Sequence, residues 1–186
     1  MLGGEKMIEN VIVGMVLHDS LTGYDIKKEV ELSIGNFVKA SHGSLYPALK
    51  KLAAKSFLTM KEAPQNGRMK KYYQATELGK EAFLDWLVSP LDPNALTTSL
   101  LAKVYFFNEL SPEVRIEQFQ AYEIHIQQIL QDLEKLEGQY FSENENEANY
   151  YGMSTLYYGL QNAQGVLRWL KHIKKQKPLS EFINRD

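Results

Sequence analysis

Between Lys39 and Lys71 the chain places eight cations, Lys39, Lys50, Lys51, Lys55, Lys61, Arg68, Lys70 and Lys71, against a single acid, Glu62. A local charge of +7 over 33 residues offers the chemistry of phosphate neutralisation, the electrostatic footprint of a polyanion binder. Ser41, His42, Ser44 and Tyr46 are interleaved with these cations, and their groups can hydrogen-bond to phosphates or to base edges. Other chemistry is thin. The chain has no cysteine, which excludes disulfides, thiolate metal sites and a cysteine nucleophile. His18, His125 and His172 have no carboxylate or second histidine at a ligand spacing, so no metal is expected. Glu134 and Glu137 share a helical face, but Leu133 and Leu136 beside them mark it as the polar rim of an apolar seam. No Gly-rich phosphate loop or activated serine is present. Neither an enzyme nor a cofactor is expected.

The whole-chain balance hides this cluster. Net charge is −2 over 186 residues, which by itself argues mildly against nucleic acid. Residues 1–90 carry 12 basic and 10 acidic side chains; residues 91–186 carry 9 and 13. With 44% hydrophobic and 24% charged residues, the chain can bury a core, which excludes disordered and collagen-like classes. Absence of cysteine favours an intracellular, cytoplasmic protein. The apolar run Val11–Leu17 has seven residues, against the roughly 20 that a membrane span needs, and it lacks the flanks of a signal peptide. No membrane partner is expected.

These side chains must be positioned by regular elements. Met7, Ile8, Val11, Ile12 and Met15 predict a helix over Met7–His18. A second starts at Thr22 or Gly23, with Ile26, Val30 and Ile34 on one stripe. Ser41 can cap a third, with Leu45, Leu49 and Leu52 turned inward. Phe57–Glu62 and Lys70–Thr76 are β-prone, joined by a connection ending in Asn66-Gly67, a pair suited to a hairpin tip. Thr76 can cap a fourth helix through Leu87. Ser89-Pro90 and Asp92-Pro93-Asn94 then break the chain, so two domains are expected, residues 1–90 and 91–186.

Three helices followed by a β-hairpin form a winged helix-turn-helix. Its third helix fits the DNA major groove while the charged hairpin follows the phosphates. With Leu45, Leu49 and Leu52 buried, His42, Tyr46, Pro47 and Lys50 face outward. Ser41, His42, Ser44 and Tyr46, at the helix start, are the candidate base readers; Tyr46 either meets a phosphate or packs that start. Lys50, Lys51, Arg68, Lys70 and Lys71 are candidate phosphate contacts. Pro47 removes an internal helix bond, so a distorted first turn is expected.

Three ordered motifs carry a family resemblance. They are Leu21-Thr22-Gly23-Tyr24-Asp25-Ile26, the run from Ser41 to Leu52, and Gly67-Arg68 followed by Lys71-Tyr72-Tyr73-Gln74-Ala75-Thr76-Glu77-Leu78-Gly79. The sequence resembles PadR-type transcriptional regulators, and its second half resembles the helical domain of the longer members and of virulence-activator relatives. The resemblance implies a dimeric regulator, most often a repressor, on a pseudo-palindrome of double-stranded DNA. It also implies that Tyr24, Lys27, Ser41, His42, Ser44, Tyr46, Pro47, Lys50 and the Gly67–Lys71 wing face that DNA. Ser56 stands where a glycine commonly ends the recognition helix, a small expense at a left-handed cap.

After the break everything reads helical. Phe119, Tyr122, Ile126, Ile129, Leu133, Leu136 and Tyr140 form one heptad seam; Met153, Leu156, Leu160, Ala163, Leu167 and Leu170 form another. The Glu- and Asn-rich stretch between them can reverse the chain, so the seams pair either with each other or with a second subunit. The fold class is therefore mainly α with a small β-hairpin: an N-terminal winged helix-turn-helix and a C-terminal α-helical dimerisation domain. Tyr140, Phe141, Tyr150, Tyr151, Tyr157, Tyr158 and Trp169 line a core or, as the alternative, a pocket for a small-molecule effector of unknown identity. A second function also stays open, in which the winged helix is a protein–protein adaptor whose basic face docks an acidic partner.

Overall fold

The computed structural model describes residues 2–65, 67–143 and 150–182. Contacts divide the chain into two compact units, Met1–Leu110 and Ser111–Asp186.

In the first unit, helix α1 spans Leu2–Met15, displaced towards the N-terminus from the expected Met7–His18. Its end is set by the sheet: the Val16 carbonyl accepts from the Ala75 amide at 3.0 Å, which pulls the chain out of helical pairing. Strand β1 (Leu21–Thr22) follows, then α2 (Gly23–Ser33), α3 (His42–Ala54), the hairpin β2 (Leu58–Gln65) and β3 (Arg68–Ala75), and α4 (Glu77–Val88). The expected two-stranded hairpin is a three-stranded antiparallel sheet in the order β1-β3-β2. Leu21 and Thr22 pair with Tyr73 and Tyr72, so β3 is central. The hairpin is also longer than its β-prone runs: Ala63, Pro64 and Gln65 pair with Lys70, Met69 and Arg68. Pro64 is tolerated because β2 is an edge strand, where a missing N–H need not break the ladder. Asn66 lies outside the described residues; Gly67, at φ +74°, supplies the left-handed conformation of a tight turn.

The helix ends are chemically explicit. Thr22 caps α2 by accepting from the Asp25 amide at 3.2 Å. Ser41 caps α3, accepting from the Ser44 amide at 3.2 Å while the Ser44 hydroxyl receives the Ser41 amide at 3.1 Å. This reciprocal pair fixes the helix start. At the other end the Phe57 amide reaches the Leu52 carbonyl and the Ser56 amide reaches that of Ala53, a Schellman closure with Ser56 at φ +59°. A side chain in that conformation is strained by about 1 kcal/mol. Ser56→Gly is therefore expected to raise stability by about 0.5–1 kcal/mol, read as a higher urea midpoint at unchanged slope.

Val11, Ile12, Ile26, Val30, Leu45, Leu49, Leu52, Phe83 and Leu87 make the core, uniting one stripe from each helix. The break at Ser89–Asn94 ends α4 but does not end the unit. Helix α5 (Leu96–Tyr105) folds back, and Phe106 meets Phe83 edge-on at 5.2 Å. Lys103, 1% exposed, donates to the Ser89 carbonyl, to Ser89 Oγ at 3.0 Å and to the Pro90 carbonyl at 3.3 Å. Its ammonium lies 5.5 Å from the Trp86 ring. The lysine thus satisfies carbonyls left open where α4 stops, which is why the compact unit runs to Leu110 and not to residue 90.

Burial lowers the Lys103 pKa to about 8 from its ordinary 10.5. Between pH 8 and 10.5 the unfolded chain holds a proton that the folded chain has released, so stability rises with pH across that window. Lys103→Met removes this contribution. The urea stability of the native protein is expected to gain about 2–3 kcal/mol on that of the variant between pH 8 and 10.5. A constant difference would mean that Lys103 titrates normally.

In the second unit α6 (Pro112–Glu143) and α7 (Tyr150–Lys174) pack on each other. Lys174 pairs with Glu123 at 2.8 Å, and Gly159 lies against Leu133, so the helices are antiparallel. Phe119, Tyr122, Ile126, Leu160, Ala163, Leu167 and Leu170 are buried between them. Ile129, Leu133, Met153 and Leu156 are half-buried, and Leu136 is exposed. The two heptad seams therefore satisfy each other within one chain, and most of the residues expected to join subunits are already covered. The side chain of Tyr140 and the reversal itself lie outside the described residues.

Candidate nucleic-acid interface

Helix α3 presents the face its spacing implies. Leu45, Leu49 and Leu52 are buried, whereas His42, Tyr46, Pro47 and Lys50 are exposed. Pro47 sits inside the helix at the position whose amide would have reached Gly43, and the helix passes through it without interruption. The His42 and Tyr46 rings stack at 5.5 Å with 9° between planes, one turn apart on the same face. Ser41 and Ser44 have a narrower role than expected. Their hydroxyls are spent on each other and on the helix start, since Ser44 Oγ also donates to the Ser41 carbonyl at 3.1 Å. The polar groups left facing outward at this end are the His42 ring and the Tyr46 hydroxyl.

The cations divide into two sets. Lys50, Arg68 and Lys70 are exposed and make no ion pair among the described residues; Lys71 lies 3.9 Å from Glu62. Lys51 is different. It and Lys55 both bind the carboxylate of Glu9 on α1, Lys55 at 3.1 Å. Burial pushes the Glu9 carboxyl up, but hydrogen bonds and charge from Lys51 and Lys55 outweigh it and hold the group below the usual carboxylate range. Lys51, expected to contact phosphate, thus also locks α3 onto α1. Lys27 pairs with Glu31 one turn along α2 at 2.8 Å, and Tyr24 is 65% exposed.

A cleft of about 480 Å³ joins these elements, lined by Thr22, Gly23, Tyr24, Tyr46, Lys70, Lys71 and Tyr73. Gly23 permits it: a Cβ there would approach Tyr46 to 3.0 Å and Leu49 to 3.3 Å, so α2 and α3 could not lie as close. Tyr73 is the member that sequence reasoning missed. Burial raises its hydroxyl pKa, and the neighbouring Tyr46 raises it further, so it stays a hydrogen-bond donor at neutral pH. The amides that open α2, three tyrosine hydroxyls and two lysines thus converge from three elements. That set can hold a phosphate.

The histidines left over have local partners. His18 Nε2 lies 3.0 Å from Glu109, and His172 Nε2 lies 3.0 Å from the Pro178 carbonyl. Tyr150, Tyr151, Tyr157 and Tyr158 of the aromatic group are exposed on α7. Among the described residues no helix is long and apolar enough to cross a membrane.

Known proteins share this organisation. The Transcriptional regulator PadR-like family matches residues 12–85, and the Virulence activator alpha C-term family matches residues 98–176. The Negative transcriptional regulator PadR of Bacillus subtilis (strain 168) is 31% identical over 138 residues, covering 73% of this chain and 74% of that one. Among solved structures, Bacillus subtilis PadR in complex with operator DNA is 27% identical; the match covers 90% of this chain and 96% of that one, with a TM-score of 0.45. The protein smu.1604c from Streptococcus mutans UA159 is 21% identical over 88% of this chain and 96% of that one, with a TM-score of 0.44. With one family match over the winged helix, a second over the helices that follow, and a curated relative sharing nearly three-quarters of its length, the chain belongs to the PadR-like family of transcriptional regulators.

Proposed function

We propose that this chain is a repressor that binds a pseudo-palindromic operator in double-stranded DNA as a homodimer. Residues 1–90 read the DNA, and residues 91–186 serve to pair the subunits. The observation that carries this reading is the convergence of Tyr24, Tyr46, Tyr73, Lys70 and Lys71 on one cleft beside the exposed face of α3. His42 and Tyr46 approach base edges; Lys50, Arg68, Lys70 and Lys71 meet phosphates, which fix register without reading sequence. Ser41, Ser44 and Pro47 shape the helix start, and Tyr24 and Lys27 follow the backbone from α2. The resemblance to a negative regulator supports repression.

Dimerisation fits two-fold DNA, with half-sites one or two helical turns apart. Because the α6 and α7 seams are largely covered within the chain, pairing falls to side chains that remain exposed, Tyr151 and Tyr158 of α7 and Ile116 and Ile124 of α6 among them. Selection of bound duplexes from a random library tests all three elements together. Enrichment of a two-fold symmetric motif is the expected result. Recovery of no motif would overturn the reading and favour an adaptor.

A further inference from the structure

We infer that the first unit binds a small amphipathic monoanion, a carboxylate or sulfonate on an apolar body, in a cleft along the flank of α3. This cleft encloses about 570 Å³, a size suited to a small organic ligand. Met7 and Ile8 of α1 form one wall, Phe37 and Val38 of the α2–α3 connection a second, and Pro47 and Ala48 of α3 the third. Phe37 is half exposed at the rim, an aromatic edge placed to close over an apolar body.

Charge selects the head group. Lys39 and Lys51 border the cleft, and its one carboxylate, Glu9, is shared between Lys51 and Lys55. Three cations therefore face one anion, and Lys39 carries no ion pair among the described residues. An anion entering beside Lys39 gains Coulomb energy, and a cation loses it. The same positive lip disfavours an ammonium-bearing ligand of equal hydrophobicity.

The location gives the ligand a consequence, and this step rests on the DNA reading above. Ser44, which completes the cap of α3, and Pro47 both line the cleft. A ligand there bears on the start of the helix that carries His42 and Tyr46, and it neutralises Lys39 at the edge of the basic segment. It should therefore bind the DNA-free form more tightly, and DNA must weaken the ligand by the factor by which the ligand weakens DNA.

Titration calorimetry of the full chain with octanoate, 1-octanol and octylammonium tests the binding step without DNA. Saturable binding is expected, with octanoate preferred to octylammonium. Thr98→Trp, which fills the cleft from α5, should weaken octanoate at least about tenfold for loss of the apolar seat. Phe37→Ala, at an exposed position, carries the same test should Thr98→Trp not fold. Lys39→Gln should weaken octanoate about fivefold, the size of an exposed ion pair, and leave octanol unchanged. Equal binding of octanoate and octylammonium, or octanoate binding indifferent to both cleft variants, would overturn the proposal. So would octanoate binding that vanishes as rising protein concentration forms dimers, since a second copy would then own the cleft. With a selected duplex, octanoate should weaken DNA binding; an unchanged DNA affinity overturns the regulatory step. Absence of any duplex binding defeats the DNA reading and leaves the calorimetry standing.

Discussion

Replacing Lys50, Arg68, Lys70 and Lys71 together by alanine is expected to weaken duplex binding by about 100- to 1,000-fold near physiological salt, for all sequences alike. The sharper signature is the salt dependence. Each phosphate contact releases about 0.9 counterion from B-DNA, so the slope of log affinity against log salt should fall by about 3 to 4. All four residues are exposed, and surface changes of this kind shift stability little. Lys51→Ala should behave differently. Lys51 shares Glu9 with Lys55, so its removal leaves a nearly buried carboxylate with one partner fewer. The loss should appear first in stability, by about 1 kcal/mol for an ion pair half open to solvent. A quadruple variant with unchanged salt slope would count against the interface. Equal effects of Lys50→Ala and Lys51→Ala on stability would count against the division of the cations.

That division shows where a sequence stops being informative. Lys50 and Lys51 are neighbours of one type, and helical spacing alone sets them on adjacent flanks of α3. What separates them is Glu9, 42 residues before Lys51 in the chain, and no local pattern announces that pairing. The same holds for α5. Pro90 and Pro93 correctly mark where a helix must stop, but proline reports only backbone geometry. The return of Lys103 onto Ser89 and Pro90 is a tertiary event, and it moves the edge of the compact unit to Leu110. Strand β1 has two residues, too few for any periodicity to register.

Local chemistry was legible because it is local. The caps at Thr22, Ser41 and Thr76, the inward stripe of α3 and the turn at Gly67 each follow from neighbouring residues. The helical seams were legible as seams but not as interfaces. A heptad repeat needs a partner helix, and the repeat is the same whether that partner is the next helix or another subunit. Chain reversal lets the nearer one win, since an intramolecular pairing avoids the entropy of association. Of the phosphate-binding cleft, Tyr24, Tyr46, Lys70 and Lys71 were visible from motif and charge. Tyr73 was not, because it enters through its place on the central strand, opposite Leu21.

The largest single-residue effect on stability is expected at Gly79. Thr76 caps α4 by accepting from the Gly79 amide at 3.0 Å, and its hydroxyl donates to the Ser56 carbonyl at 2.7 Å. The Thr76 amide in turn donates to the Phe57 carbonyl at 3.0 Å. The first turn of α4 is thereby held on the junction between α3 and β2. A Cβ at Gly79 would fall 2.1 Å from the Phe57 oxygen and 2.9 Å from its carbonyl carbon. The oxygen cannot retreat without breaking its bond to Thr76, and Phe57 is fixed on its other side by the Schellman closure of α3. Gly79→Ala should therefore cost about 3 kcal/mol, the upper part of the range for overpacking, although alanine by itself favours a helix by about 1 kcal/mol. The sign of the change thus separates the two effects. Gly138→Ala on α6, where nothing lies within 4 Å of the added Cβ, isolates the propensity and should stabilise by about 0.5–1 kcal/mol. Because the wing hangs from this junction, Gly79→Ala should also weaken duplex binding under conditions where it remains folded by circular dichroism. A stabilised Gly79→Ala would mean that α4 does not rest on Phe57 as described.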